Sequence, residues 1–225
     1  MAVFINSSRG TEMNRIKIII FCILFSNALF ATSCEVSDKR PPLFNRTLDT
    51  IGDSIISSNY GQNIRCLLHD YKLQYDFSGS FIDIYGFKHD GKGGQTSSDI
   101  LKRIDTIPVA DSYFILIGIN DIYQSYSKEV IVSNIKNIAK NLSSRNHNCI
   151  IYISTLLPVH GSHLNDVMEL NYLLNLKDFC SQCKIIDLGG YFYNLNNWES
   201  YLIDGVHPNL EGYQLIAKYL SNEIN

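Results

Sequence analysis

Residues 113–118 form a continuous apolar run, Tyr-Phe-Ile-Leu-Ile-Gly, without a charged side chain. A strand with one face in water alternates polar and apolar residues, whereas a strand that is buried on both faces reads as an unbroken apolar run. The run therefore predicts a central strand of a parallel sheet. Such a sheet is covered by helices on both faces, and this requirement constrains the rest of the chain.

The other predicted elements alternate between strands and helices. Four further runs have strand character, at residues 46–51, 75–79, 149–154 and 184–188. Apolar residues at helical spacing predict helices at residues 62–71, 97–107 or 98–107 (capped by Ser97 or Ser98), 129–142, 167–179 and 210–224. The alternation predicts a three-layer α/β/α sandwich around a five-stranded parallel sheet. Functional residues are expected in the loops that follow the strands.

The N-terminus has the pattern of a signal peptide. Arg15 and Lys17 precede a largely apolar run that ends in small residues and is too short to span a membrane. We expect residues 1–33 to be the signal peptide, with Met13 as the functional start. Residues 34–45 are polar and contain two prolines, which predicts a tether. The folded domain is then expected at residues 46–225.

Cys34 follows Ala-Thr-Ser at the end of the apolar run, which is similar to a bacterial lipobox. In that motif the cysteine becomes the lipidated first residue of the mature protein. Ordinary cleavage near Ala28 or Ser33 is the alternative. The sequence thus predicts an exported protein in the periplasm, at the cell surface or secreted. A lipid on Cys34 would be its only contact with a membrane.

Charge and cysteine content exclude several classes of function. The net charge is −3 and no basic stripe is present, so nucleic acid is not an expected partner. Cys180 and Cys183 form a lone C-x-x-C, without the further ligands of a zinc site. We expect structural disulfides and neither a metal nor a cofactor. Cys149 opens one predicted strand and the C-x-x-C precedes the next, so a bridge from Cys149 to Cys183 or Cys180 is expected.

Chemically useful side chains recur in the loops after the predicted strands. Ser54 follows Gly52 and Asp53 after the first strand, Asn120 follows the third, and His207 lies three residues after Asp204. A serine hydroxyl, an imidazole base and a carboxylate that orients it are the parts of a nucleophilic triad. An asparagine amide and the backbone N–H of a glycine such as Gly94 can serve as oxyanion-hole donors.

This order of motifs resembles the SGNH, or GDSL-like, hydrolase superfamily. Gly-Asp-Ser54, Gly94, Gly-Ile-Asn120-Asp and Asp204-Gly-Val-His207 match its four blocks, over nearly the whole predicted domain. The resemblance implies a flavodoxin-like fold and a serine esterase that forms an acyl-enzyme. It also implies Ser54 as nucleophile, His207 as base and Asp204 as its orienting acid. Ser54, Gly94 and Asn120 would form the oxyanion hole, although Gly93 is a neighbouring candidate.

Within that superfamily, the chain is nearest in pattern to the carbohydrate-esterase branch. Residues 75–80 and 89–96 resemble the Asp-Phe-Val-Gly and Glu-Gly-His-x-Gly-Trp motifs of that branch, but Lys92 replaces the His and Gln95 replaces the Trp. The resemblance implies hydrolysis of short acyl groups, such as acetyl, on a carbohydrate or related small substrate. The alternatives are a lysophospholipase or thioesterase of the same fold, and a non-catalytic surface binding protein.

Other conspicuous residues are interpreted as structural. His160 and His163 are expected in an ordinary loop and not at a metal site, because no matching carboxylate set accompanies them. Trp198 and Tyr201 could form a stacking wall for a sugar, but core packing is favoured. Two acidic residues beside the site also receive structural roles, Asp53 in its turn and Asp121 as an anchor of its loop.

Overall fold

The computed structural model describes residues 44–57 and 64–224. The predicted signal peptide, Cys34 and all but the last two residues of the predicted tether lie outside the described residues. Within the described ranges, no helix is long and apolar enough to cross a membrane.

The described chain forms one mostly parallel sheet of seven strands. The strands are β1 (Thr47–Gly52), β2 (Asp76–Ser78), β3 (Phe81–Ile82), β4 (Lys88–Gly91), β5 (Ser112–Leu116), β6 (Ile150–Ser154) and β7 (Cys183–Ile186). Their order is β3-β4-β1-β5-β6-β7, and β2 also pairs with β1. Only the pairing of β3 with β4 is antiparallel. The predicted fold is confirmed, with two more strands than the five expected.

The apolar run at residues 113–118 supplies the centre of this sheet. Every residue of β5 is buried, and β5 pairs in parallel register with β1 on one side and β6 on the other. The surrounding core combines apolar residues of these three strands with the inward faces of the helices. Burial on both faces is the property that the unbroken apolar sequence predicted.

The helices lie in two layers on the sheet. The α-helices are α1 (Ser54–Ser57), α2 (Ile64–Asp70), α3 (Ser97–Lys102), α4 (Ile119–Tyr123), α5 (Lys128–Arg145), α6 (Leu164–Leu176), α7 (Leu188–Tyr193) and α8 (Leu210–Glu223). Short 3-10 helices occur at Ile104–Thr106 and Trp198–Tyr201. Helices α2 and α8 pack together in one layer, and α5 packs with α3 and α6 in the other.

Two parts of the chain fold differently from the prediction. None of the five predicted strands falls within residues 81–95, but this segment contains β3 and β4. The sequence of β4, Lys-His-Asp-Gly, is polar and gives no local signal of a strand. Its Asp90 can be buried there because it forms an ion pair with Arg103 at 2.6 Å. The cap of α3 is Thr96, not Ser97 or Ser98, since Thr96 and Asp99 form a capping box.

The expected bridge from Cys149 to Cys183 or Cys180 is wrong. Cys180 and Cys183 are bonded to each other across a tight turn, with their Cα atoms 5.0 Å apart, and Cys149 is a buried free thiol. The register explains the difference, because Cys183 lies opposite Ile151 and not opposite Cys149. Cys149 is two residues further along the neighbouring strand, an offset of roughly 7 Å. This offset adds to the spacing between the strands and puts Cys149 and Cys183 too far apart for a disulfide. Cys66 is disulfide-bonded as well.

The end of β1 is tightly packed where the chain turns towards Ser54. A Cβ atom on Gly52 would lie 2.3 Å from the carbonyl oxygen of Leu116 and 2.5 Å from the side chain of Ile56. Only a glycine therefore allows β1, β5 and α1 to meet at this distance. In addition, the buried hydroxyl of Tyr213 in α8 donates to the carbonyl oxygen of Ile55, the residue after Ser54, at 2.9 Å. These contacts fix the position of the serine.

Candidate active site

Ser54, His207 and Asp204 form a continuous chain of hydrogen-bonding groups. Ser54 Oγ lies 2.8 Å from His207 Nε2, and His207 Nδ1 lies 2.7 Å from Asp204 Oδ2. Ser54 begins α1 directly after β1, whereas the other two residues lie in the loop before α8. The fold thus brings together three side chains that are up to 153 residues apart in sequence.

The loop that carries Asp204 and His207 is ordered by the carboxylate itself. Asp204 Oδ1 accepts the backbone N–H groups of Val206 and His207, at 3.0 and 2.8 Å. The N–H of Ile203 donates to the carbonyl of His207, at 2.8 Å. Burial acts to raise the pKa of Asp204, but the hydrogen bonds from His207 and Val206 outweigh it, and the net effect lowers the pKa. Asp204 therefore stays an anion beside the imidazole.

Gly94 and Asn120 are connected through Gln95. Asn120, in the first turn of α4, donates its Nδ2 to the carbonyl of Gln95 at 2.9 Å. Gly94 is exposed and has a φ of 75°, a left-handed conformation that favours glycine. The N–H of Lys92 donates to the carbonyl of Gly52, at 3.0 Å, so this loop lies against the end of β1. Gly94 therefore lies in a loop that contacts the end of β1, and Asn120 of α4 is bonded to that loop through Gln95.

Asp121 anchors α4 to α3, as the sequence predicted. Its carboxylate accepts the backbone N–H of Ser97 at 2.9 Å and the hydroxyl of Ser97 at 2.5 Å. Asn134 of α5 donates to the same hydroxyl, at 2.9 Å. This buried network fixes the start of α3, which directly follows the loop that carries Gly94.

Arg103 also holds the Gly94 loop, a role that sequence reasoning missed. Its Nε donates to the side-chain oxygen of Gln95 at 3.0 Å, and its other two nitrogens donate to the carboxylate and the carbonyl of Asp90, at 2.6 and 2.5 Å. Arg103 therefore ties the end of β4 to Gln95, the same residue that Asn120 contacts. No periodicity or motif marks this residue, because its contacts are set by the turn between β4 and α3.

Asp53 is buried directly before the serine. Its Oδ1 accepts the N–H of Ile55 at 3.0 Å, which is the turn role expected from the sequence. Its Oδ2 is buried and accepts no hydrogen bond within the described residues. Burial, the largest effect, raises the pKa of Asp53 to about 7, and the nearby Asp121 adds to the rise.

The two histidines near Gly161 have structural contacts. The backbone N–H of His160 donates to the carbonyl of Gly205 at 2.8 Å, which joins this loop to the loop of Asp204. His163 Nδ1 lies 3.2 Å from Asp166, and its ring packs on Tyr123. No three potential ligands gather into a metal-binding group in the part of the chain that is described.

Trp198 and Tyr201 belong to the core packing, as favoured from the sequence. Trp198 is buried, and its ring lies 6.4 Å from that of Tyr193. Tyr201 packs edge-to-face on Phe192. Neither ring is the open platform that a stacking wall for a sugar would need.

Comparison with known proteins identifies similar sequences and folds. The model of the GDSL-like Lipase/Acylhydrolase family matches residues 50–215. The structure is similar to a family 3 carbohydrate esterase from Clostridium thermocellum, with 18% identity, a TM-score of 0.63 and 79% and 94% of the two chains covered. It is also similar to a lipolytic protein of the G-D-S-L family from Desulfitobacterium hafniense, with 20% identity, a TM-score of 0.64 and 79% and 99% covered.

A third similar structure is an acetyl esterase with an acetate ion, with 18% identity, a TM-score of 0.64 and 80% and 96% of the two chains covered. At these identities the three structures show the fold alone. Among curated proteins, no sequence matches the chain.

The buried carboxyl of Asp53 should make stability depend on pH. Unfolded Asp53 loses its proton near pH ~4, whereas the folded protein retains it until about pH 7. The folded state binds more protons in this window, so the free energy of unfolding falls as the pH rises from about 4 to about 7, by up to about 4 kcal/mol. In Asp53→Asn, the amide oxygen can still accept the N–H of Ile55 but no carboxyl titrates. The free energy of unfolding of this variant should therefore not show the fall that Asp53 causes.

Urea unfolding of both proteins at about pH 4.5 and about pH 8 measures the effect. Other buried carboxyls are common to both proteins and cancel in the difference. The variant should gain stability relative to the parent as the pH rises. A difference that is the same at both pH values would contradict the assignment of a raised pKa to Asp53.

Proposed function

Because the chain belongs to the GDSL-like lipase/acylhydrolase family, and is thus a carboxylic ester hydrolase, we propose that Ser54, His207 and Asp204 are its catalytic triad. The observation that carries the proposal is the unbroken chain of contacts of 2.8 and 2.7 Å between these three side chains. A serine, an imidazole and a carboxylate in this order of contacts are the parts of a nucleophilic triad, and they meet at the end of the sheet where this fold class binds its ligands.

The proposed reaction proceeds through an acyl-enzyme. Ser54 Oγ attacks the ester carbonyl carbon, and its proton passes to His207 Nε2. The tetrahedral intermediate collapses, its bond to the alcohol oxygen breaks, and His207 returns the proton to the departing alcohol. Water then attacks the acyl carbon with His207 again as base, which releases the carboxylic acid and regenerates Ser54. Asp204 holds the ring and stabilises its protonated form.

Three donors stabilise the oxyanion in this proposal. They are the backbone N–H groups of Ser54 and Gly94 and the Nδ2 of Asn120. Within the described residues Asn120 Nδ2 makes one hydrogen bond, to Gln95, and the second hydrogen on this nitrogen can donate to the oxyanion. Each such donor stabilises the transition state by about 3 kcal/mol in comparable sites.

The proposed substrate is a short acyl ester, such as acetyl, on a carbohydrate or related small molecule. The similar folds of an acetyl esterase and a family 3 carbohydrate esterase support this choice. Lys92 and Gln95 depart from the carbohydrate-esterase pattern. Gln95 stands where that pattern has an aromatic residue, and it accepts hydrogen bonds from both Asn120 and Arg103. The Gly94 loop therefore remains fixed by hydrogen bonds.

We also propose that the protein is exported, either with a lipid attached to Cys34 or after ordinary cleavage near Ala28 or Ser33. A lysophospholipase or thioesterase of the same fold is the alternative within the family. It would require a groove that holds a long acyl chain beside Ser54. A non-catalytic binding protein would not need Ser54, His207 and Asp204 in hydrogen-bonding contact.

Replacing the nucleophile should abolish the activity without unfolding the protein. We expect Ser54→Ala to reduce hydrolysis of p-nitrophenyl acetate to the background rate, because the attacking oxygen is removed, while the thermal midpoint stays close to that of the parent. Ser144→Ala, an exposed serine on α5, is the matched control and should keep full activity. Full activity of Ser54→Ala would refute the triad.

The acyl preference separates the proposed esterase from its alternative. A series of p-nitrophenyl esters from acetate to dodecanoate should give kcat/KM values that are highest for acetate and fall with chain length. The measurement is made below the solubility limit of each ester. A maximum at the long-chain end would show that the lysophospholipase or thioesterase alternative is correct.

Arg103 should affect the chemical step through the oxyanion donors. We expect Arg103→Met to lower kcat by about tenfold with little change in KM, because a displaced Gln95 weakens contacts that are made mainly in the transition state. In a protein that already carries Asn120→Ala, Arg103→Met should lower kcat by a smaller factor, because the donor that Arg103 helps to position is already absent.

The neighbouring Lys102→Met is the control for Arg103, since Lys102 is largely exposed and pairs only with Asp99 among the described residues. It should leave kcat unchanged. An equal loss from Arg103→Met in both backgrounds would indicate that Arg103 stabilises the fold without positioning Asn120.

A further inference from the structure

A cavity lies beyond the carboxyl ends of strands in the same sheet that positions Ser54. It is a cavity of about 250 Å³ between α6 and α7, beyond the ends of β6 and β7, and its lining includes Pro158, Met168, Tyr172, Asp187 and Tyr193. This volume is slightly below the usual range for pockets that hold drug-sized ligands, which suits one small ring. None of these residues belongs to the proposed triad or oxyanion hole.

The rim of the cavity exposes large side chains. Met168, Tyr172 and Tyr193 are 42%, 64% and 45% exposed. Met168 and Tyr172 are four residues apart on α6, so they lie on one face of the helix. Tyrosine rings combine an apolar face with a polar hydroxyl, and two of them around one cavity indicate a ligand with both kinds of surface.

Asp187 gives the cavity a hydrogen-bond acceptor. Its Oδ1 accepts the hydroxyl of Thr155 at 2.9 Å and the N–H of Gly190 at 3.2 Å. Its Oδ2 accepts no hydrogen bond from the residues of the described ranges, so a ligand can donate to it. An acyl chain over this carboxylate would remove water from a charge and offer no donor in return. An anionic ligand would be repelled, whereas a hydroxyl group or a cation would complement the carboxylate. Of these, the proposed carbohydrate ester offers hydroxyl groups.

One wall of the cavity is connected to the loop of Asp204 and His207 by a backbone hydrogen bond. Pro158 in its wall is two residues from His160, whose N–H donates to the carbonyl of Gly205 in the loop between Asp204 and His207. Along the sheet, the cavity is two to three strand positions from β1. With adjacent strands ~4.8 Å apart, this is roughly 10–15 Å, a distance that a short oligosaccharide can span.

We propose that this cavity is a subsite for a neutral sugar ring of an oligosaccharide whose ester lies at Ser54. The ring would stack its C–H face on Tyr172 or Tyr193 and donate a hydroxyl to Asp187. This proposal rests on the proposed esterase function and adds a substrate class to it, an acylated neutral oligosaccharide in place of a single acylated sugar.

Two substrates of different length test the subsite. The parent protein should hydrolyse acetylated xylotetraose with a lower KM than an acetylated methyl xyloside. Tyr172→Ala should raise the KM for the tetraose by about tenfold, because a stacked ring is lost, and should leave p-nitrophenyl acetate hydrolysis unchanged. Tyr172→Phe, which keeps the ring, should behave like the parent. Tyr71→Ala, an exposed tyrosine at the end of α2, is the matched control.

Binding without catalysis separates the two proposals. Two neutral tetrasaccharides, unacetylated xylotetraose and N-acetylated chitotetraose, are titrated by calorimetry into Ser54→Ala and into the double variant Ser54→Ala, Tyr172→Ala. Loss of binding in the double variant would support the subsite, even if the ester chemistry were assigned wrongly. No binding of either tetraose, or a KM for acetylated xylotetraose that Tyr172→Ala does not change, would overturn the subsite and leave the triad intact.

Discussion

The hydrogen bond between Ser54 and His207 is the interaction on which the proposed chemistry depends, and the fold positions both of its ends. Its two atoms are 2.8 Å apart, although the residues are 153 positions apart in sequence. The serine end is fixed by the close packing at Gly52, where no side chain fits, and by the bond from Tyr213 to Ile55. The histidine end is fixed by Asp204, which binds both the ring and the backbone of its loop.

The donors of the proposed oxyanion hole depend on a different set of contacts. Gln95 lies between Asn120 and Arg103, and it bonds to the first through its carbonyl and to the second through its side chain. Arg103 extends this connection to Asp90 at the end of β4. One set of contacts thus positions the proposed nucleophile and another positions the proposed oxyanion donors, and the bond from the Lys92 N–H to the carbonyl of Gly52 joins the two sets.

The sequence predicted the central sheet and the candidate site residues, because both leave local signals. Residues 113–118 are apolar throughout since both faces of β5 are buried, and Ser54 and Asn120 each lie in the first turn of the helix that follows a strand. Contacts without local signals were missed. The polar strand β4 depends on Arg103, and the cysteine pairing was wrong because a bond across the turn from Cys180 to Cys183 replaced the expected bond between strands.

The central claim, that Ser54 is activated by His207, is tested most directly by covalent labelling. The protein is treated with diethyl p-nitrophenyl phosphate, which phosphorylates an activated serine, and its intact mass and peptides are measured. We expect one diethylphosphoryl group, on Ser54, at a rate that falls strongly in His207→Ala. A label on another residue, or equal labelling of Ser54 in the parent and in His207→Ala, would contradict it.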